Sequence, residues 1–382
     1  MSHAPATRHV VGIMTGTSLD ALDAALVRVD GQGRSLRAVL VHHIERPLGL
    51  WQPRLIDLAN QQPFTAAEIA EMSHAFGELH RDAILALLKP DWPTPDLIAI
   101  HGQTVTHDPP CSWQLINPFP VAAAFGCPIV FDLRQADLAA GGQGAPITPI
   151  ADAILFARDK HRRAAIVNLG GFCNVTLLLG DGASDAFRDV RGFDLCACNH
   201  LLNAAAQSAL SQPFDRNGDH AAQGTPELRL QADLRGVLEQ QAAANRSLGT
   251  GDEAVEWIIE HAGRLAPNDL LATVVHAVAQ TIAEQLQPHD PETIILAGGG
   301  ARNRTLHMAI AARVAAPVHI SDEFGVPAEA REAMAMAVLG ALAQDKIPIT
   351  LPGTTGCRTS VPIAGAWVHG FGSFGNSSRA DD

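Results

Sequence analysis

The 382-residue chain has no tyrosine at all, and its charged residues amount to 18% against 47% hydrophobic ones. So little charge beside so much apolar side chain excludes a disordered polymer and calls for a well-buried globular protein. Basic residues are scarce too, with 27 Lys and Arg against 40 Asp and Glu and a formal charge of -13. That deficit leaves no basic stripe to follow a phosphate backbone. Nucleic acid is therefore excluded as a partner, and an anionic nucleotide would need a local site of its own. No run of about 18 apolar residues occurs, and Met1 to His9 lacks the charged and apolar regions of an export signal, so a cytoplasmic protein with no membrane partner is expected. The six cysteines (Cys111, Cys127, Cys173, Cys196, Cys198, Cys357) are too scattered for the disulfide framework of a small secreted domain, and reduced thiols are expected. Two common nucleotide signatures are also missing: there is no GxxxxGK[ST] loop, and GxGxxG follows none of the strands that the pattern marks.

What the chain does contain is a repeated order of elements. Arg8 to Met14 is an apolar strand that runs into Thr15-Gly16-Thr17-Ser18, and further strands follow near Ala24 to Val29 and Leu36 to His43. Thr65 to Lys89 carries Ile69, Met72, Phe76, Leu79, Ile84 and Leu88 at helical spacing before Asp96 to Ile100 returns to strand. The pattern then restarts, with strands over Ala165 to Leu169, Val175 to Leu179 and a stretch reaching Phe193, a helix beginning near Asn199, a helical face of Val274, Val278, Ile282 and Leu286, and a strand over Thr293 to Ala297. At 382 residues a chain exceeds the size of one core. The echo predicts two related α/β domains facing a cleft, residues 1–145 and 146–345, divided near the Gly- and Pro-rich segment Gly141 to Pro149, with the tail 346–382 packing back on the first.

Chemistry-bearing residues gather where these strands end. Gly12-Ile-Met-Thr15-Gly16-Thr17-Ser18-Leu-Asp20 offers backbone N–H groups, hydroxyls and a carboxylate, the needs of a polyphosphate with its metal, although a turn of this composition is also an ordinary hairpin. Gly170-Gly171 and Asn174 occupy the equivalent point of the second half, so two hairpins could hold one nucleotide from opposite sides. Gly298-Gly299-Gly300-Ala-Arg-Asn303 follows a strand and opens a helix, where backbone can approach an adenosine or phosphate group or can simply turn. Asp194 stands between an apolar strand and a helix, placed either to deprotonate a nucleophile or to cap the helix. His101-Gly-Gln103-Thr104-Val-Thr-His107 is a polar cluster at a strand end, the usual ligand position in α/β folds, and Arg134 beside Asp137 could bind hydroxyls, a carboxylate or each other. Glu332 lies on a late helix, where an acid is ordinarily solvated. Cys196-Ala-Cys198 is not CxxC and has no second ligand pair, so small-residue packing explains it best.

Taken in order, these segments resemble the anhydro-N-acetylmuramic acid kinase family from about Val11 to Gly370. The resemblance implies an actin/hexokinase-type fold of two ribonuclease-H-like domains with ATP and Mg2+ in the interdomain cleft, a small anhydrosugar as substrate, and a homodimer. It also implies roles: Asp194 as the base that activates water; Gly12, Thr15, Gly16, Thr17, Ser18, Asp20, Gly170, Gly171, Asn174, Gly298, Gly299, Gly300 and Asn303 at the nucleotide; Asp20 at the metal; and His101, Gln103, Thr104, Arg134, Asp137 and Glu332 at the sugar. The chain departs from the family pattern at Ala21, where glycine is usual, at Leu195-Cys-Ala-Cys-Asn199, where Thr-Gly-Pro-Gly-Asn is usual, and at Arg246, where lysine is usual. Those departures leave two alternatives: a kinase for another anhydrosugar such as levoglucosan, or a nucleotide-binding regulator that has lost catalysis.

Overall fold

The computed structural model describes residues 7–16, 19, 21–156, 163–180, 187, 189–243, 253–358 and 363–370. The first half lays down β1 (Thr7–Thr15), β2 (Ala21–Asp30), β3 (Arg37–Pro47), α1 (Gln52–Ala59), α2 (Ala66–Leu87), β4 (Leu97–Ile100), β5 (Gln103–Asp108), β6 (Cys111–Leu115), α3 (Phe119–Ala124), β7 (Ile129–Phe131) and α4 (Gln135–Ala139). After α5 (Pro149–Phe156) come β8 (Ala164–Leu169), β9 (Phe172–Leu178), β10 (Val190–Ala197), α6 (Asn199–Leu210), α7 (Leu228–Ala243), α8 (Glu253–His261), α9 (Pro267–Leu286), β11 (Thr293–Ala297), α10 (Arg304–Ala311) and β12 (Val318–Ile320). The chain then returns through α11 (Arg331–Gln344), α12 (Pro352–Thr355) and β13 (Ala366–Val368).

Two sheets carry the structure, ordered β13-β7-β4-β1-β2-β3 and β10-β9-β8-β11-β12. In each, the first strand pairs antiparallel with the second and the second with the third, while the fourth and fifth run parallel to the first on its other side. Both halves therefore share one topology, and β13 adds to the first sheet by pairing antiparallel with β7. The β5–β6 hairpin forms a sheet of its own, covering residues that the sequence marks only as a polar cluster.

β1 shows why these residues form these layers. A strand covered on both faces is apolar throughout, and successive side chains enter opposite cores. Val10 and Met14 join the core shared with α11 and α5, whereas Val11 and Ile13 join the core under α2. α2 starts on a capping box, the Thr65 hydroxyl accepting from the Glu68 N–H while the Glu68 carboxylate accepts from the Thr65 N–H. α11 is buried along its whole run from Ala333 to Ala343, the signature of a helix enclosed on all sides. Its alanines let it lie directly on the sheet: a Cβ at Gly12 would stand 2.0 Å from the Ala333 carbonyl oxygen, and one at Gly340 would stand 2.6 Å from the Ala99 Cβ.

A buried ion pair fastens α11 to the second half. Arg331 Nε donates to Asp152 Oδ1 of α5 at 2.9 Å, its Nη2 reaches Asp152 Oδ2, and the Thr176 hydroxyl of β9 donates to the same Oδ2 at 2.6 Å. Among the described residues no helix is long and apolar enough to cross a membrane.

Candidate active site

The ends of β1, β4, β8, β10 and β11 open into a cleft of about 350 Å³ between the two sheets. On the first side β1 delivers Thr15 and Gly16, and the Leu19 N–H closes a turn onto the Gly16 carbonyl at 3.2 Å. The Thr15 hydroxyl is buried with no partner among the described residues, so it is available to a ligand oxygen. Thr17, Ser18 and Asp20 lie outside the described residues, as does Arg246.

The second side is built around the Gly170-Gly171 turn. N–H groups at the start of α6 hold that turn: Asn199 donates to the Gly170 carbonyl at 3.0 Å, and Cys198 and His200 donate to the Gly171 carbonyl at 3.0 and 3.2 Å. Gly298, at φ +78°, turns the chain beside Asn168, while Gly299 has nothing nearer to an added Cβ than the Asn199 amide at 4.0 Å. The backbone there is open to the cleft, as a close approach to a nucleotide requires.

Asp194 reaches the cleft through a β-bulge. Asp194 pairs with Asn174 and Cys196 with Cys173, so Leu195 is the extra residue. Bulges re-aim side chains. Here Asp194 lines the cleft while Leu195, Cys196, Ala197 and Cys198 all turn into the core. β10 thus runs past Phe193 to Ala197, and the residue at the N-cap position of α6 is Cys198, with no side-chain capping bond, and not Asp194. Burial pushes the Cys198 thiol up to about 12, which keeps it protonated and inert. The unusual loop after Asp194 therefore offers none of those four side chains to a substrate.

Opposite Asp194 stands Arg134 at the start of α4. Burial lowers its pKa to about 10, and the negative charges of Asp194 and Glu332, which line the same cleft, oppose that shift. Glu332 is no solvated helix acid. It projects from the first turn of α11 into the cleft, where the Asn168 amide donates to its Oε1 at 2.9 Å. Gln103 and Thr104 of the β5–β6 hairpin complete this wall, and Gln103 Oε1 is buried without a partner among the described residues.

Four expected site residues lie elsewhere. Gly12 is under α11, where it permits helix and strand to touch. Gly300 packs on Leu169 and Asn199, and Asn303 caps α10 by accepting from the Leu306 N–H at 2.9 Å. Asp137 is 1% exposed and anchors a loop, accepting from the Gly144 N–H and the Thr355 hydroxyl, each at 2.7 Å. Gly and Asn at strand ends serve packing and capping as readily as ligands, and sequence alone does not separate these uses.

The cleft is also lined by Asn168 and by an acidic wall of Asp23, Glu45 and Glu329, none of which stands out as a site residue in the sequence. The signal for Asp23 is a lone acid in the apolar strand Ala21-Leu-Asp-Ala-Ala-Leu26. Burial raises its pKa to about 6, against the hydrogen bond from His43 Nε2 at 3.0 Å and with Glu332 and Glu45 adding to the rise. Among the described residues no three His, Cys, Asp or Glu side chains could hold a metal by themselves.

Two sheets of one topology, a glycine-bearing turn from each, and a polar cleft between them are the two-lobed architecture of the actin and hexokinase fold. Comparison with known proteins narrows this. Residues 8–369 match the family described as anhydro-N-acetylmuramic acid kinase, and the chain belongs to that family. The anhydro-N-acetylmuramic acid kinase of Salinibacter ruber is 34% identical over 396 residues, covering 96% of this chain and 98% of its own. That of Bordetella parapertussis is 35% identical over 383 residues, covering 94% and 97%. A glucokinase of the ROK family from Streptomyces griseus, solved with glucose and AMPPNP, covers 87% of this chain and 99% of its own with a TM-score of 0.41 at 14% identity. So loose a likeness adds nothing to what the strand order already states.

Proposed function

We propose that the protein uses ATP and water to open the 1,6-anhydro ring of 1,6-anhydro-N-acetylmuramic acid and to phosphorylate O6, giving N-acetylmuramate 6-phosphate and ADP during cell-wall recycling in the cytosol. Asp194 is the base. Its carboxylate takes a proton from water as the water oxygen bonds to the anomeric carbon. The C1–O6 electron pair leaves on O6, and O6 bonds to the γ-phosphorus as the bond to ADP breaks, so atoms and charge balance. This reading is supported above all by Asp194, Arg134 and Glu332 lining one cleft that both glycine-bearing turns enter.

Phosphate oxygens would lie against the backbone of Gly16 and of Gly170-Gly171, with the Thr15 hydroxyl as a further partner, and adenosine against the open turn at Gly299. Mg2+, for which the family resemblance offers Asp20, would neutralise charge on those phosphates when bound. Gln103, Thr104, Arg134 and Glu332 would contact the sugar. The homodimer implied by the family belongs to the same proposal.

A coupled assay of ADP release on 1,6-anhydro-N-acetylmuramic acid and on levoglucosan, with and without Mg2+, tests the reading. Turnover that needs the ion and prefers the amino sugar is expected. Preference for levoglucosan would move the chain to another anhydrosugar, and ATP binding without turnover on either sugar would favour a regulator.

A further inference from the structure

His101 follows β4 directly, its backbone N–H donating to the Ile13 carbonyl at 3.1 Å, and it is only 5% exposed. Both ring nitrogens are engaged within the protein. Nδ1 lies 2.8 Å from the Gly102 carbonyl oxygen. A carbonyl can only accept, so Nδ1 carries the proton and Nε2 offers a lone pair. Two nitrogens of Arg134 point at that lone pair, Nε at 3.1 Å and Nη2 at 2.9 Å. Gly102 makes the lock possible: its φ of +77° suits glycine, and an added Cβ would stand 3.0 Å from the Leu115 carbonyl oxygen.

The other edge of the guanidinium is fixed in the same manner. Arg134 Nη1 donates to the Gly144 carbonyl at 2.7 Å, and Gly144 is itself held by its N–H to Asp137 Oδ2 at 2.7 Å. A guanidinium has five N–H groups. Three are thereby taken and one on each Nη is left over. His101 lines the cleft beside Arg134, but both its ring nitrogens are already engaged, so of this trio Arg134 is the cleft-lining residue that keeps donors to give.

We propose that His101 and Asp137 are positioning residues that act through Arg134, and that Arg134 alone of the three meets the ligand, giving its two remaining N–H groups to an anionic oxygen. The inference rests on the kinase reading for its substrate but not for its geometry. That oxygen belongs to the carboxylate of the sugar or to the transferring phosphoryl group. A buried imidazole that must accept from a guanidinium cannot also be a cation. In keeping with this, burial lowers the His101 pKa to about 3, with Arg134, His107 and His80 adding to the fall and only the Gly102 carbonyl opposing it.

Two experiments test the inference. The first needs no turnover: 15N-imidazole NMR of the full-length protein, with the His101 signals identified by their loss in His101→Gln, is followed from about pH 5 to pH 8. A neutral ring protonated at Nδ1 throughout is expected; titration within that range, or protonation at Nε2, would overturn the proposal even if the substrate were misassigned. The second is a double-mutant cycle on kcat/KM with thermal stability measured alongside. His101→Leu is expected to lower kcat/KM by about 10-fold or more. Arg134→Met should do at least as much, and the double variant no worse than Arg134→Met alone within about twofold. His101→Gln, which still offers an acceptor, should recover most of the loss. Losses in His101→Leu and Arg134→Met that multiply would give His101 a contact of its own and sink the idea. A rise in KM for the muramic sugar that is absent with levoglucosan assigns the oxygen to the sugar carboxylate; a fall in kcat on both sugars assigns it to the phosphoryl group.

Discussion

Asp23 is buried in the cleft wall, with Glu332 and Glu45 near it, and keeping its carboxylate charged there costs the folded protein stability as pH rises. For Asp23 the sign follows from a folded pKa near 6 against an ordinary value of 3.8. Between those values the folded state binds more protons than the unfolded chain, so stability falls as pH rises through the window and levels off above it. Asp23→Asn removes the ionisation while keeping an acceptor for His43. Its stability relative to the parent should therefore grow from about pH 4 to pH 7, by on the order of 3 kcal/mol, read by urea denaturation across that range. Parallel curves for the two proteins would refute the assignment. Asp23 was legible only as an oddity in an apolar strand, because nothing local says that Glu332 and Glu45 converge on it.

At the scale of elements, α11 does most to place the site, since it lies on β1 at Gly12, carries Glu332 into the cleft and holds α5 through Arg331. Gly12→Ala must push α11 off the strand, and a cost of about 3 kcal/mol is expected in chemical denaturation, together with weaker sugar binding as Glu332 shifts. Unchanged stability would mean that the contact relaxes freely. The ion pair makes a second prediction. Arg331→Met alone strands Asp152 in the core and should cost about 3–5 kcal/mol, whereas Arg331→Met combined with Asp152→Leu should recover most of that loss, because removing both charges removes the desolvation penalty. A double variant as unstable as the single would place the defect in packing instead. The core strands were readable from apolar runs and the longest helix from its spacing. The β-bulge at Leu195 and the β5–β6 hairpin were not, because each depends on a partner strand and not on local pattern.

For the whole molecule, the echo of three strands before helices in each half pointed to two facing α/β units, and the two sheets do share one order and one pattern of directions. The strand ends that the sequence singled out do converge on one cleft, yet the motif residues divide between its lining and its support: Asp194, Arg134 and Glu332 line it, while Gly12, Asp137, Gly300 and Asn303 hold the backbone behind it. A sequence gives position along the chain but not which side of a strand or turn the ligand will occupy. Everything in the proposed chemistry turns on the Asp194 carboxylate activating water beside bound nucleotide. Its most direct test is a single-turnover measurement with Mg2+, ATP and 1,6-anhydro-N-acetylmuramic acid, run on the parent protein and on Asp194→Asn, with ATP affinity determined for both. Near-equal affinity and a rate lowered by about 100-fold or more are expected in the variant. A variant that turns over at close to the parent rate would contradict it.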